Sequence, residues 1–523
     1  MPLQFHNQLT KRVDEFVSQE PSLVKMYTCG PTVYDYPHVG NWSGYVYWDV
    51  LVRLLQVSGY QVDRVMNITD VGHLVSDADE GEDKLEKGAK REGKTAWDVA
   101  AFYTENFMQG IKKLGLIEPT HITKATDFIE EQLELVRILK NKGYTYQIDD
   151  GIYYDTSKFP TYAQFADLDV DAQKAGARVE FNPEKRNHSD FALWKFTPAG
   201  ENRDMEWDTP EDLLESESSR ADASTEETQA KREPRASTGV EAVSSEDVSA
   251  TGDHGAKKGF PGWHLECSAM SMTLLGHTLD IHTGGIDHIP VHHTNEIAQS
   301  EAATGERFSN YWLHNNHLKV NGTKLSKSLG NGYTLEDLEE RGFSPLDFRM
   351  FVLQSHYRTE GNFTFENLEA ARNRLKNWRN IAALRHQMHD TLQNDDDKST
   401  DEKTVSLYST AQAIVEATSD DLNTPAALSI IDDAFDRVVA HNISGIHQHA
   451  FISLLERIDE LFGLQLLSST PDISDALKQL IIERERVRDH KDWAKSDELR
   501  DQIEKEGGIT LRDTADGTIW EYK

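Results

Sequence analysis

The sequence predicts an α/β protein: a parallel sheet broken by an α+β insert, followed by a helical bundle and a small α/β element at the C-terminus. Three observations carry this. Strand-like and helical stretches alternate through the N-terminal two-thirds. Aromatic and turn-forming residues concentrate between Tyr144 and Phe196. Past Phe365 the apolar residues fall at three- and four-residue steps, the period of an amphipathic helix.

Taken in order, Leu23–Cys29 is a buried strand that runs into a Gly30-Pro31 turn. Trp48–Gln56 reads as a helix and Tyr60–Ile68 as a second strand. Tyr144–Phe196 reads as a separate insert. Glu211–Ala256 contains no Phe, Trp or Tyr, and twelve acids there face four bases (Arg220, Lys231, Arg232, Arg235). Such a stretch cannot bury enough apolar surface to offset its ordering entropy, so a disordered insertion is expected. The apolar run Leu279–His282, followed by Gly284-Gly285, resumes the sheet. Asn394–Lys403 reads as a short polar linker or a helix–helix loop. Asp420–Pro425 is a helix start, with polar capping side chains and an early Pro. Leu428, Ile431, Phe435 and Val438, and then Phe451, Leu454, Leu455, Ile458 and Phe462, mark two bundle helices. Ile509–Tyr522 alternates around Asp516-Gly517 as a closing β-hairpin.

Composition narrows the function. The 523 residues suffice for several domains. No apolar run reaches the roughly 18 residues of a membrane span, and the N-terminus lacks the apolar core of a secretory signal. Two cysteines in the whole chain exclude a disulfide framework and fit a reducing cytosol. Asp and Glu number 89 against 55 Lys and Arg, a net charge of −34. That balance argues against a phosphate-binding surface, unless the surroundings hold molar salt. The Debye length then falls to about 3 Å, and locally basic patches work on a globally acidic chain. The charge is read as salt adaptation.

Three segments carry chemistry. Cys29 and Cys267 stand with His292 and Glu296, which are four apart and share a face on a helix. Two thiolates, an imidazole and a carboxylate can make a tetrahedral Zn²⁺ set; two buried thiols beside a helical His/Glu pair is the plainer alternative. Pro37-His38-Val39-Gly40-Asn41 follows a strand and turn, where a glycine and a helix N-terminus suit a phosphate. Lys324-Leu325-Ser326-Lys327-Ser328 offers two ammonium groups and two hydroxyls, as in a mobile loop closing over a polyphosphate.

In this order and at these distances the segments resemble the cysteinyl-tRNA synthetase family of class I aminoacyl-tRNA synthetases. Tyr27–Asn41 resembles that family's first signature, with His38–Asn41 at the "HIGH" position, and Lys324–Ser328 stands at the "KMSKS" position. Asn67–Asp70, Asp190–Lys195, Gly262–Met270, His282–Asp287, His292–Glu296, Asp420–Pro425 and Lys491–Arg500 also match. Two stretches depart from the family pattern, Val71–Glu80 and the link between Trp207 and Gly262.

The resemblance implies a Rossmann-like catalytic domain, first half at 1–130. A connective insert at 131–206 and the acidic insertion at 207–258 follow, then the second catalytic half at 259–320. A signature-loop and stem-contact region at 321–375 precedes a helical anticodon-binding bundle at 376–470 and an anticodon-recognition element at 471–523. It implies one Zn²⁺ on Cys29, Cys267, His292 and Glu296, which would select a thiolate over a hydroxyl and make editing unnecessary. It implies ATP with Mg²⁺ at His38, Gly40, Asn41, Lys324, Ser326, Lys327 and Ser328. Of these, His38, Asn41, Lys324 and Lys327 would be catalytic. Gly30, Thr69, Trp263 and Asp287 would line the cysteine pocket, with His282, His288 and His293 nearby. The expected activity is cysteine activation and transfer to tRNA(Cys) by a cytoplasmic monomer with no membrane partner. A cysteine:amino-sugar ligase using the same adenylate, or a non-catalytic tRNA-binding paralogue, are the alternatives. The helices and hairpin beyond residue 400 argue against the first and the intact signatures against the second. Arg484, Arg486, Arg488, Lys491, Lys495 and Arg500 are expected to line one helical stretch facing the tRNA.

Overall fold

The computed structural model describes residues 2–72, 74, 83–168, 182–198, 200–215, 257–325, 330–387, 392–393, 402–440, 446–514 and 517–523. An antiparallel pair, β1 (Gln4–Asn7) and β2 (Arg12–Glu15), opens the chain. Then come β3 (Leu23–Thr28), α1 (Val39–Val57), β4 (Gln61–Ile68), α2 (Lys84–Glu92), α3 (Ala96–Lys113) and β5 (His121–Lys124). α4 (Ile129–Asn141) leads into an antiparallel sheet of β6 (Thr145–Ile148), β7 (Gly151–Tyr154), β8 (Phe191–Phe196), β9 (Trp207–Asp208) and β10 (Lys258–Pro261). α5 (Trp263–Leu275), β11 (Leu279–Gly285), α6 (Thr294–Thr304) and β12 (Ser309–Asn315) return to the first sheet.

That first sheet is parallel throughout, in the order β12-β11-β3-β4-β5. The chain winds outward from β3 on one side and later from β11 on the other. The join between β3 and β11 is therefore the point where strand order reverses, and ligands of open α/β sheets bind outside the carboxyl ends of the strands there. Tyr27 pairs with both His282 and Val65 across this join. Strands covered by helices on both faces read as continuous apolar runs; Val24, Met26 and Tyr27 accordingly have no exposed surface.

The insert is wider than the sequence suggests. Its sheet has the order β6-β7-β8-β10-β9, so the expected break at 207–258 cuts through it. Trp207 and Asp208 pair with Gly259 and Lys258, a 3₁₀ turn spans Glu211–Leu213, and Leu213 is buried. The flanks of the acidic stretch are thus ordered, held by the Trp207 pairing and by the buried Leu213. The rest of that expectation, residues 216–256, lies outside the described residues.

The C-terminal part comprises β13 (Leu318–Val320), α7 (Leu335–Glu340), α8 (Pro345–Leu353), β14 (Gly361–Phe363), α9 (Phe365–Ala383), β15 (Leu392–Gln393), α10 (Glu402–Ser419), α11 (Thr424–Ala440), β16 (Ile446–His447) and α12 (Gln448–Phe462). α13 (Asp475–Asp489), α14 (Trp493–Gly507) and the hairpin β17 (Ile509–Thr514) with β18 (Gly517–Tyr522) close it. The expected single basic helix is two helices, broken where Lys491 adopts a φ of 62°. Arg484 is buried, and Arg484, Arg488 and Arg500 all converge on Asp513 of the hairpin. Three of the six cations are thus internal fasteners. One apolar cluster runs from β3 and α1 through α8 and α9 to α12, so the sheet and bundle share a core. Among the described residues no helix is long and apolar enough to cross a membrane.

Candidate active site and metal centre

Both signature segments meet at the start of α1. Pro37 fixes an extended approach, and His38 then caps the helix: its imidazole Nδ1 accepts from the Asn41 N–H at 3.2 Å, while the Asn41 side chain accepts from the His38 N–H at 3.1 Å. The reciprocal pair is a capping box built from His and Asn, so it orients both side chains at the helix's positive end. The Val39 N–H donates to the Tyr333 carbonyl at 2.8 Å, which brings the chain after the second signature over the first. A methyl group on Gly40 would lie 3.2 Å from the Leu325 side chain; any larger residue there would press the two segments apart. Lys324 is exposed, and its carbonyl accepts from the Asn331 amide at 3.3 Å. Ser326, Lys327 and Ser328 lie outside the described residues.

Cys29 follows β3 directly, Cys267 sits on α5, His292 lies on the turn into α6 and Glu296 in the first turn of α6. Their candidate ligand atoms all fall within 4.8 Å of one another. A tetrahedral ion with bonds of about 2.0–2.3 Å holds its ligand atoms about 3.3–3.8 Å apart, so a small inward movement suffices. The turn from Ile289 to His293 is a π-helical segment, and such segments recur at functional sites. It places His292 Nε2 3.1 Å from one Glu296 oxygen and His282 Nε2 3.0 Å from the other, yet neither buried oxygen has an aligned donor among the described residues. A fully buried carboxylate without hydrogen bonds is costly and fits a cation. Burial disfavours ionisation of both thiols. The Cys267 S–H and the imidazoles of His293, His288 and His292 overcome it at Cys29, whose thiol is held well below its ordinary range, and Cys267 is pushed up. Burial likewise opposes charge on Glu296 and His292. His282 and then His292 nevertheless hold Glu296 below the usual carboxylate range, and Glu296, with Cys29, pushes His292 up to about 10. The donors, two soft and two hard, suit Zn²⁺.

The surroundings orient these groups. Trp263 stacks on His292 at 4.3 Å, so it walls the cluster. His264 Nδ1 lies 3.0 Å from His292 Nδ1. Cys29 Sγ lies 3.4 Å from His293 Nε2, and His293 Nδ1 lies 2.7 Å from His314 Nε2. A buried chain then links the two cysteines. The Gly30 N–H donates to Asn67 Oδ1 at 2.7 Å, Asn67 Nδ2 to the Thr69 hydroxyl at 3.0 Å, and that hydroxyl to Glu266 Oε2 at 2.9 Å. Position 30 must be glycine, because a Cβ would lie 1.6 Å from the Asn67 carbonyl. Thr69 and Gly30 therefore stand beside the cluster. Asp287 does not: its side chain is 70% exposed and 3.3 Å from His317 Nε2. Asn67, Glu266, His264 and His314 were not singled out by the sequence. Glu266 had a signal, an acid directly beside Cys267; His314 had none.

Comparison with known proteins decides the family. Residues 15–214 and 212–373 match the model of the class I tRNA synthetase (C) catalytic domain. A cysteine–tRNA ligase from Treponema denticola is 38% identical over 547 aligned positions, covering 99% of both chains. Cysteine–tRNA ligase 1 from Burkholderia lata is 39% identical, covering 99% of this chain and 96% of its own. The chain belongs to the cysteine–tRNA ligase family. The cysteine–tRNA ligase is thus an ATP-dependent aminoacyl-tRNA synthetase acting on an amino acid and tRNA, and nothing favours the amino-sugar ligase or the non-catalytic paralogue. Its fold matches Mycobacterium tuberculosis methionyl-tRNA synthetase in complex with methionyl-adenylate, with a TM-score of 0.55 at 14% identity over 85% of this chain and 92% of that one. It also matches the Agrobacterium radiobacter LeuRS in a ternary LeuRS-tRNA-LeuAMS complex, with a TM-score of 0.56 at 12% identity over 88% and 86%.

Proposed function

We propose that Cys29, Cys267, His292 and Glu296 of this ligase hold one Zn²⁺ that selects cysteine, and that ATP, with Mg²⁺, is bound between His38–Asn41 and Lys324–Ser328. The observation that supports this reading is the convergence of the only two cysteines with His292 and Glu296 at the carboxyl ends of β3 and β11. The ion would supply an affinity for a soft thiolate that a serine hydroxyl cannot match. Trp263 would pack the face of the substrate side chain, and Gly30 and Thr69 would line its backbone end. Asp287 would reach the ammonium group only by leaving His317.

Activation requires the cysteine carboxylate to attack the α-phosphorus in line as pyrophosphate departs. Little proton transfer is involved, so positioning and charge stabilisation do the catalysis. His38 and Asn41 fix the phosphates at the helix N-terminus, and Lys324 and Lys327 neutralise the charge that gathers on the departing oxygens. The adenylate is then handed to the terminal 2′-hydroxyl of tRNA(Cys), whose anticodon the region after residue 376 would read. Two cysteines that are not joined to one another suit a reducing cytoplasm, where this ligase would act as a monomer.

Purified protein assayed for cysteine-dependent pyrophosphate exchange, with serine as competitor, tests the assignment when bound metal is measured on the same sample. Discrimination that survives complete loss of metal would refute it.

A further inference from the structure

We infer that Cys29, His282 and His293, with Oε2 of Glu296, form a second cation site that takes a soft monovalent ion, copper(I), beside the zinc set. The inference rests on the zinc reading above, because Cys29 and Glu296 would be shared, and it adds a second ion to that reading.

The first observation is a second donor set. The ligand atoms of Cys29, His282 and His293 all lie within 4.8 Å of one another, as close as those of the zinc set. They come from the turn after β3, from β11 and from the π-helical turn before α6. Glu296 is divided between the two sets. One oxygen, Oε1, lies 3.1 Å from His292 Nε2, on the zinc side. The other, Oε2, lies 3.0 Å from His282 Nε2 and 4.0 Å from His293 Nε2. A carboxylate with one oxygen toward each set and a thiolate common to both can bridge two cations, as in paired-metal sites.

The second observation is that both imidazoles are held as ligands are held. His293 Nδ1 lies 2.7 Å from His314 Nε2, which leaves His293 Nε2 facing Cys29 Sγ at 3.4 Å. A metal-ligating imidazole is normally oriented through its other nitrogen in this way. His282 has no exposed surface. Neither of its ring nitrogens has an aligned hydrogen-bond partner among the described residues. Its ring is gripped instead by rings, stacked on Trp312 at 4.5 Å and tilted against Tyr27 at 5.1 Å. A polar ring buried without hydrogen bonds is costly, and a cation between His282 and Glu296 would remove that cost.

The third observation is charge, and it selects the ion. Metal ligands bind deprotonated, so two thiolates and one carboxylate would set three negative charges against the two of zinc. The surplus is fully buried, where an unpaired charge is expensive. A monovalent cation on two neutral imidazoles and the shared thiolate cancels it, and a second divalent ion would overshoot. Thiolate and imidazole donors suit copper(I).

The test is an anaerobic titration of the zinc-loaded protein with copper(I), in competition with the chelator bathocuproine disulfonate, with both metals counted on the same sample. The wild type should hold one copper(I) in addition to its zinc. Loss of an outer partner alone costs about 10–100-fold in metal affinity, so His282→Phe, which keeps a ring on Trp312, and His293→Gln should each weaken copper(I) by about a hundredfold or more while zinc stays bound. The proposal is overturned if the wild type retains no copper(I), if it retains copper(I) only as zinc leaves, or if both variants bind copper(I) as tightly as the wild type. Loss of zinc together with copper(I) in both variants would overturn it as well, because the two histidines would then serve the first ion. A wild type that never holds zinc is a separate failure, that of the zinc reading itself, and the zinc count made before any copper(I) is added tells the two apart.

Discussion

Replacing Asn67 by Ala tests whether the buried chain between the two cysteines sets the geometry of the metal centre. Asn67 is 2% exposed, and its amide both accepts from the Gly30 N–H and donates to Thr69. Alanine leaves two buried groups without partners, at about 1–3 kcal/mol each. Gly30 is partly exposed, so water compensates one of them and the net cost falls to about 1–3 kcal/mol by the same scale. The loss is felt where the chain ends, at Cys29 and Cys267, because the strand carrying one thiol is no longer registered on the helix carrying the other. Outer partners of metal ligands typically govern about 10–100-fold in affinity, and that is the expected fall in Zn²⁺ affinity, read by competition with a chromogenic chelator. Glu266→Ala should behave alike, because it releases Thr69 at the other end. Glu266→Gln keeps an acceptor for the Thr69 hydroxyl, and its affinity should stay within about threefold, less than the 1.4 kcal/mol of a tenfold change. Zn²⁺ affinity within twofold of wild type in both alanine variants, with only the overall stability lowered, would refute the clamp and leave the chain a packing detail.

Further outcomes follow from the same geometry. Cys267→Ala should abolish stoichiometric zinc and cysteine activation, measured by metal analysis and pyrophosphate exchange. Lys327→Ala should lower kcat of pyrophosphate exchange by about 10²-fold, the scale of a lost transition-state contact; an unchanged kcat with a raised KM would oppose that role. Arg349→Met strips Asp49 of a fully buried partner and should cost about 3–5 kcal/mol in chemical denaturation. In the terminal hairpin, Arg484 holds the Asp513 carboxyl below its ordinary range. Its contribution is present above the unfolded value of about 4 and is lost as pH falls, so proteolysis of the last 50 or so residues should quicken in acid, and Asp513→Asn should remove that dependence.

The parallel sheet was legible because its strands are covered on both faces and so read as apolar runs. Leu23–Cys29 and Tyr60–Ile68 match β3 and β4 within a residue. The helix after the first signature was read too short, since Val39–Tyr47 includes Gly40, Asn41, Ser43 and Gly44, poor helix formers. They are tolerated because the helix packs closely on the second signature and on Asn315. The metal set was legible as ligand types and as a resemblance, but not as geometry: nothing in the spacing of Cys29 and Cys267 says that β3 and α5 meet. Glu266 and His264 escaped because the stretch His264–Ser271 of α5 is buried all round and still polar, with Glu266, His264, Ser268 and Ser271 having no exposed surface. Periodicity finds a helix by contrast between its faces, and here there is none. The basic C-terminal stretch misled for the opposite reason. Arg484, Arg488 and Arg500 look like a solvated face in sequence, and only the fold brings Asp513, 29 residues beyond Arg484, to meet them.

The helix α1 gives the catalytic end and the bundle a common frame. Its first turn is the His38–Asn41 cap. Three turns later Asp49 is wholly buried, receives Arg349 from α8, and binds Arg53 at 2.7 Å and the Ile117 N–H at 2.7 Å. Arg349 also donates to the Leu114 carbonyl at 3.1 Å and to the Phe462 carbonyl at the end of α12. Arg53 reaches the Asp459 and Glu460 carbonyls of the same helix at 3.3 Å. Burial works against both charges, and attraction to Arg349 and Arg53 still holds Asp49 below its usual range. An apolar cluster of the same volume would often be as stable as such a pair. What the ions add is directional: two guanidinium forks satisfy the carbonyl ends of α12, which a leucine cannot do. The last turn of a bundle helix is thereby fixed in angle as well as in distance to the helix whose first turn carries the adenylation signature. A rigid-body shift of the bundle on tRNA binding must then either carry α1 with it or break a buried ion pair, and the second costs several kcal/mol.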